Sequence, residues 1–302
     1  MREHVIYYFS GTGNSLKAAL TIQKALGNCD VVSMGAAAGS TASDSSSSNI
    51  SPPGKVRSIG FVFPCYFGGV PHRVLDCIAG MNFSPSESAM RESTILSSAA
   101  QEHATQEPAA QEQPYVYAVV TYGALIGTAL GQLGRALQNR GVTLAYAAAL
   151  KAFSNYVILY DMSKSVAEKT AQTKAELQPI IADILGRKSD RVKRPSLLIS
   201  AYNHLASRNV ATRDRRFIVR ESCNSCGICE QVCPVRNIRL QTGTPHWLDH
   251  CEQCLACVHW CPRRAIDYGD KTRKRGRYTN PEITSKMFID YLNGAGIDSK
   301  KA

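Results

Sequence analysis

The chain of 302 residues is long enough for two domains at about 100–200 residues each, and its 44% apolar content supports at least one proper core. The longest apolar stretches, around Thr143–Phe153 and Pro195–Tyr202, fall short of the roughly 20 residues that cross a bilayer. Met1-Arg-Glu-His also runs straight into Val5-Ile-Tyr-Tyr-Phe9 with no leader pattern, so membrane and secreted classes are disfavoured and a cytoplasmic location is expected.

Strand and helix periods alternate along the first 160 residues. His4–Ser10 reads as a short buried strand, Asn14–Leu26 as a helix and Asp30–Met34 as a second strand. Residues 35–55 are a Ser-, Ala-, Gly- and Pro-rich insert. Ser58–Cys65 is a third strand, and Pro71 opens a helix through about Gly80. A second low-complexity insert covers 84–114. Tyr115–Tyr122 is a fourth strand, Gly127–Gln138 a helix, Thr143–Phe153 a fifth strand and Ser163–Lys188 a polar helix. Such alternation predicts an α/β fold, a doubly wound five-stranded parallel sheet covered on both faces. Residues 189–217 form a basic connector, helical around Ser196–Ala206, and a last helix lies near Thr284–Leu292.

Charge and cysteine are both concentrated late in the chain. Of a net charge of +11, residues 191–280 hold 17 of the 35 Lys and Arg but only 7 of the 24 Asp and Glu. Eight of the eleven cysteines lie in Cys223–Cys261. Without an export signal that crowding points to metal rather than disulfides. Cys223, Cys226, Cys229 and Cys233 precede Pro234, and Cys251, Cys254, Cys257 and Cys261 precede Pro262, each run reading C-x2-C-x2-C-x3-C-P. Three thiolates at this spacing wrap one cubane, and the fourth reaches the other cluster. Cys223, Cys226, Cys229 and Cys261 are therefore assigned to one [4Fe–4S] cluster, and Cys251, Cys254, Cys257 and Cys233 to the second. A zinc ribbon has no use for the third cysteine or for the Cys-Pro ending. His259 is not needed as a ligand, and Trp260 reads as packing. The two runs closely resemble bacterial-type two-cluster ferredoxins over residues 218–268.

The loop between the first strand and helix is Ser10-Gly11-Thr12-Gly13-Asn14-Ser15. A strand–loop–helix of this kind aims backbone N–H groups and the positive helix end at an anion. It lacks the lysine of a Walker loop, and Leu16 stands where a dinucleotide fingerprint has its third glycine. What remains is a hydroxyl-rich loop that is similar to the FMN phosphate loop of the flavodoxins. The resemblance extends to Pro64-Cys65-Tyr66-Phe67-Gly68-Gly69 and to Thr121-Tyr122-Gly123, which match the two flavodoxin loops against the flavin ring. It implies strand order 2-1-3-4-5, with FMN at the carboxyl ends of neighbouring strands. Asn155 and Tyr156 follow the fifth strand and are candidates for the ring edge. His72, just past the ring loop, is the one candidate acid, and Cys65 reads as a buried thiol.

Together the two modules resemble flavodoxin–ferredoxin fusion proteins of anaerobic microbes. That resemblance implies a flavodoxin-like domain at 1–188, a basic linker at 189–217, a small α+β ferredoxin domain at 218–268 and a basic tail at 269–302. The function it implies is electron transfer that couples two-electron and one-electron steps between redox partner proteins, acidic ones included. Two alternatives stay open: an iron–sulfur flavoenzyme that reduces a small molecule, and a redox-sensing module that grips nucleic acid. Whether the chain is an enzyme is left undecided. The cofactors' negative charge brings the loaded protein to about +5. The run Lys271–Arg277, with five cations, could then dock an acidic partner, bind nucleic acid or fold back near the clusters.

Overall fold

The computed structural model describes residues 2–35, 52, 56–83, 113–190 and 197–295. Nearly all of the two low-complexity inserts lies outside the described residues.

The first part is a five-stranded sheet in the order β2-β1-β3-β4-β5, with every neighbouring pair parallel. The strands are β1 (His4–Tyr8), β2 (Cys29–Ser33), β3 (Ser58–Pro64), β4 (Tyr115–Tyr122) and β5 (Tyr146–Lys151). β1, β3 and β4 are continuous apolar runs because helices cover both faces, as in parallel sheets generally. On one face pack α1 (Asn14–Leu26) and α4 (Val166–Leu185), with Leu16, Ile22, Leu177 and Ile181 buried against Ile6, Val62 and Val119. On the other lie α2 (His72–Gly80) and α3 (Ala129–Gln138), with Val74, Ile78, Leu133 and Leu137 against Phe61, Phe63, Val116 and Val120. The order reverses between β1 and β3, and the loops leaving those strands open a crevice at their carboxyl ends.

The expected fifth strand, 143–153, is longer than the one observed. The last ladder bond runs from the Ala152 N–H to the Tyr122 carbonyl, after which the chain turns away through 153–160. That turn becomes a wall of the functional cleft.

After α5 (Leu197–Ser207) and a 3-10 turn at Ala211–Arg216, the cysteine region forms a small α+β unit. β6 (Phe217–Val219) pairs antiparallel with β9 (Ile266–Tyr268), and β7 (Ile238–Gln241) pairs with β8 (Thr244–Trp247). α6 (Ile228–Gln231) and α7 (Ala256–His259) each begin inside a cysteine run. The two runs have the same backbone. Positive φ recurs at Ser225 and Gln253, at Gly227 and Leu255, and at Arg236 and Arg264. The structure thus has a local pseudo-repeat, and Leu255 takes a left-handed conformation where its counterpart is glycine.

The final segment is not a free tail. α8 (Ser285–Leu292) is capped by the Thr284 hydroxyl, which accepts the Met287 N–H. Phe288 and Leu292 are buried in the same core as α1, along with Val232, Cys254 and Trp260 of the cysteine region. A further cluster joins Phe153, Val157 and Met162 to Leu255, Val258, Ile266 and Tyr278. The α/β sheet and the cysteine unit therefore share apolar cores.

Candidate functional site

A cavity of about 210 Å³ lies at the switch point. Fourteen of the sixteen residues expected to hold a flavin line it: Ser10, Gly11, Thr12, Asn14, Ser15, Pro64, Cys65, Tyr66, Phe67, Gly68, Thr121, Tyr122, Gly123 and Asn155. Four strand ends converge here because a doubly wound sheet brings its carboxyl-terminal loops to one edge.

Gly13 and Gly69 stand outside the lining. Gly13 has φ 92, and a Cβ there would meet Asn280 and Ile283 at 3.2 and 3.3 Å, so it faces the C-terminal segment. Gly69 has no space for a Cβ because Asn203 of α5 presses on it. Asn203 donates to the Phe67 carbonyl at 3.1 Å and accepts from Gln132 at 2.6 Å, which clamps α5 over the ring loop. His72 is also outside the cleft. Its backbone N–H opens α2 and donates to Glu252.

Internal bonds organise the glycine loop. The Ser10 hydroxyl accepts the Gly13 N–H at 3.1 Å, and Ser15 and Thr121 share a hydroxyl bond at 2.8 Å. The Asn14 amide is wholly engaged: it donates to the Phe153 carbonyl and accepts from the Tyr278 hydroxyl at 2.6 Å and from Asn280 at 3.0 Å. Asn14 thus fixes the loop through its side chain. No side chain caps α1, which leaves its first-turn N–H donors available to an anion. Tyr66 lines the cavity, yet its hydroxyl is fully buried, beside the Asn155 amide, and among the described residues no group accepts its proton.

Sequence reasoning missed several walls of the cleft. Phe153, Ser154, Leu159 and Tyr160 come from the turn after β5, and Tyr202 comes from α5. Gln253 comes from within the second cysteine run. Apart from Gln253, which sits inside the cysteine motif, none belongs to a local motif; only the packing of distant segments brings them to the cleft.

The cysteines separate into two sets, and no disulfide joins any of the eleven. Cys223, Cys226, Cys229 and Cys261 line one small cavity. Cys261, the fourth cysteine of the second run, therefore meets the first three of the other run. Cys233, Cys251, Cys254 and Cys257 are electrostatic neighbours, burial holding the Cys254 and Cys257 thiols well above their ordinary range and the adjacent cysteines adding to it. The Asn237 N–H donates to Cys233 Sγ at 3.2 Å, and the Ala265 N–H donates to Cys261 Sγ at 3.3 Å. Among the described residues, no three His, Cys, Asp or Glu side chains close on a single metal-ion position.

The two sets differ in depth. Cys226 is exposed and Cys223, Cys229 and Cys261 are half-buried, whereas Cys233, Cys254 and Cys257 are buried. The buried set faces the cleft. A Cβ on Gly11 would lie 2.8 Å from the Cys254 carbonyl oxygen. The Trp260 indole N–H donates to the Gly11 carbonyl at 3.0 Å, and the Asn155 amide donates to Thr12 Oγ1 at 3.1 Å. His259 Nε2 donates to the Asn155 carbonyl at 2.7 Å, while its Nδ1 accepts the Tyr278 N–H at 3.0 Å. Burial pushes the His259 ring down to about 4, so it is a neutral brace and not a ligand. Glu252 accepts the N–H groups of His72 and Arg73 at 3.2 and 2.6 Å, and so caps α2 from inside a cysteine run. Arg213 donates to Gln253 at 3.1 Å and lies over the Phe67 ring at 5.0 Å.

Residues 217–239 match the family model described as a 4Fe-4S binding domain. Over 49 residues the chain is 33% identical to a ferredoxin-like protein in nif region from Trichormus variabilis, a stretch covering 16% of this chain and 42% of that protein. A protein of the same description from Trichormus azollae gives the same figures. The chain thus spans less than half the length of these curated relatives. Among solved structures, rubredoxin oxygen:oxidoreductase from the anaerobe Desulfovibrio gigas overlaps 62% of this chain and 37% of that one, with 14% identity and a TM-score of 0.33. That overlap is too loose to bear on function, and the architecture rests on the strand order itself. A [4Fe–4S] ferredoxin-type segment and a flavodoxin-like sheet therefore stand on one chain.

Proposed function

We propose that the chain is an electron carrier that holds FMN in the cleft and two [4Fe–4S] clusters in the two cysteine sets. The observation that carries this reading is the shared wall: Gln253, from between two cysteines, lines the same cavity as the glycine loop.

The cleft suits FMN on three counts. The uncapped start of α1 offers backbone donors to a phosphate. Tyr122 and the 64–68 loop flank the opening, where a planar ring has aromatic and apolar contacts. Gly123 lets its loop pass close to Ser154, which a Cβ would meet at 2.7 Å. The cysteine sets suit cubanes by the crossed pairing of their fourth members. When bound, FMN supplies exchange of one or two electrons, and each cluster supplies exchange of one.

The protein's own part is positioning and shielding. Cys233, Cys254 and Cys257 are buried, Cys254 beside Gly11 of the glycine loop, which keeps water from that set. Cys226 is exposed and shares its small cavity with Arg263, an exposed cation, with exposed Arg264 next in sequence. This edge suits an acidic redox partner. The nucleic-acid alternative loses support because two of the five cations in 271–277 are engaged internally: Arg275 donates to the Val157 carbonyl and Arg277 to Asp267. The rim of the cleft carries exposed Leu125, Leu159, Tyr160 and Tyr202, an open apolar mouth that favours a docking partner over an enclosed substrate.

Anaerobic purification followed by iron, zinc and flavin assays tests the reading. About eight irons per chain, one FMN and negligible zinc are expected. Two zinc ions without flavin would reject it. Rapid, saturable reduction of one compound from a panel of small oxidants would favour the enzyme alternative.

A further inference from the structure

Tyr66 is locked in place before it does anything else. Its N–H donates to the Gly69 carbonyl at 3.0 Å, and the Gly69 N–H donates back at 2.8 Å. The two residues between, Phe67 and Gly68, have φ of 52 and 76, as a tight primed turn requires. Phe9 meets the Tyr66 ring edge-on at 6.4 Å and fixes its plane. The ring is half-buried and borders the flavin cleft.

The hydroxyl points the other way. It is buried, and among the described residues no group accepts its proton; the Asn155 amide lies beside it and favours its deprotonated form, as a donor does. A point one Cβ bond from Gly11 lies 2.9 Å from this oxygen and 3.1 Å from Cys254 Cβ, so the phenol and the cysteine side chain crowd one small space. The neighbouring polar groups offer donors or are engaged elsewhere. The Asn155 amide donates to Thr12 and, at 3.5 Å, to the Cys254 carbonyl, and the Gly11 carbonyl accepts from Trp260. A buried hydroxyl left without an acceptor is destabilising. A thiolate is an acceptor, and hydrogen bonds to cluster sulfurs raise a cluster's potential by stabilising its more negative, reduced state.

Resting on the reading above, we infer that Tyr66 is a tuning residue that bridges the two cofactor sites: its ring borders the flavin, and its hydroxyl donates to the Cys254 sulfur when that cysteine is a cluster thiolate. A residue of the α/β sheet then sets the potential of the buried cluster.

The test is an anaerobic redox titration of the loaded protein, followed by electron paramagnetic resonance for the clusters and by absorbance for the flavin. Tyr66→Phe keeps the ring and removes the donor. The expected result is a buried-cluster midpoint shifted to more negative values, with the other cluster's midpoint unchanged. Site-specific 3-fluorotyrosine at position 66, a stronger donor of the same shape, is expected to shift that midpoint in the opposite direction and covers the case of a phenylalanine variant that does not load. Unmoved cluster midpoints in the variants that load would overturn the inference. So would a shift confined to the flavin midpoint, which would leave Tyr66 a flavin contact alone. Wild-type protein lacking FMN or a second cluster counts against the carrier reading, whereas a fully loaded protein with an unmoved midpoint counts against Tyr66 alone.

Discussion

Cys65 illustrates how a residue beside a redox site can be chemically quiet. Its Sγ donates to the Leu125 and Ile126 carbonyls at 3.3 and 3.2 Å, and burial pushes the thiol up to about 12. The thiolate is the reactive form, and it is scarce at any pH well below that value. Iodoacetamide treatment of the loaded protein at pH 8, with peptide mapping, should therefore leave Cys65 unmodified, and labelling should rise only as the pH approaches 12. Quantitative labelling at pH 8 would contradict the assignment. The motif made Cys65 legible as a small buried thiol, but not its two carbonyl acceptors, because Leu125 and Ile126 lie sixty residues away in another loop. Asn14 shows a related limit. Its place in the glycine loop was readable, whereas its engagement by Tyr278 and Asn280 depends on a segment more than 260 residues further along.

Among the elements, the segment after β9 behaves as a strap. The Asp267 carboxylate accepts from Arg220 at 2.9 Å, from Thr272 at 2.9 Å and from Arg277 at 2.7 Å. Burial alone would raise its pKa, but these bonds outweigh it and hold the group below the usual carboxylate range. Because the folded value is the lower one, this stabilisation is complete above the ordinary carboxylate pKa and is lost as pH falls through the lowered value. Arg277 is only 6% exposed, so Asp267→Asn strands a buried cation. The expected cost is about 3–5 kcal/mol, seen as a lower unfolding midpoint and as new proteolytic cleavage within 271–278. Unchanged protease resistance would argue against the strap. Sequence periodicity located α8 to within a residue but could not assign it a partner, since an amphipathic helix does not specify which surface it covers. The basic composition of 271–277 left an acidic partner, nucleic acid and folding back all open, and Arg275 and Arg277 turn inward to donate to carbonyls and a carboxylate.

At the level of the whole molecule, the sheet and the cysteine unit are one structure rather than two beads on a linker. Gly11 marks the seam. A methyl group there would sit 2.8 Å from the Cys254 carbonyl oxygen and 2.9 Å from the Tyr66 hydroxyl, so backbone must move. Gly11→Ala should therefore reduce FMN content and also lower the iron content from about eight toward about four per chain, since only the set with Cys226 lies away from the seam. Full iron retention with flavin loss would mean that the two sites bind independently. The sequence by itself determined the chemistry and the fold class: eight cysteines at cluster spacing, a hydroxyl-rich glycine loop after a strand, and a βα alternation that calls for a parallel sheet, the 2-1-3-4-5 order being what the flavodoxin resemblance implied and the sheet has. These are readable because each depends on residues close together along the chain. Tertiary structure alone decided that Glu252 caps α2, that Tyr278 and Asn280 hold the glycine loop, and that Cys254 lies against Gly11. Those contacts join residues far apart in sequence, and they exist only because shared apolar cores press the two regions together.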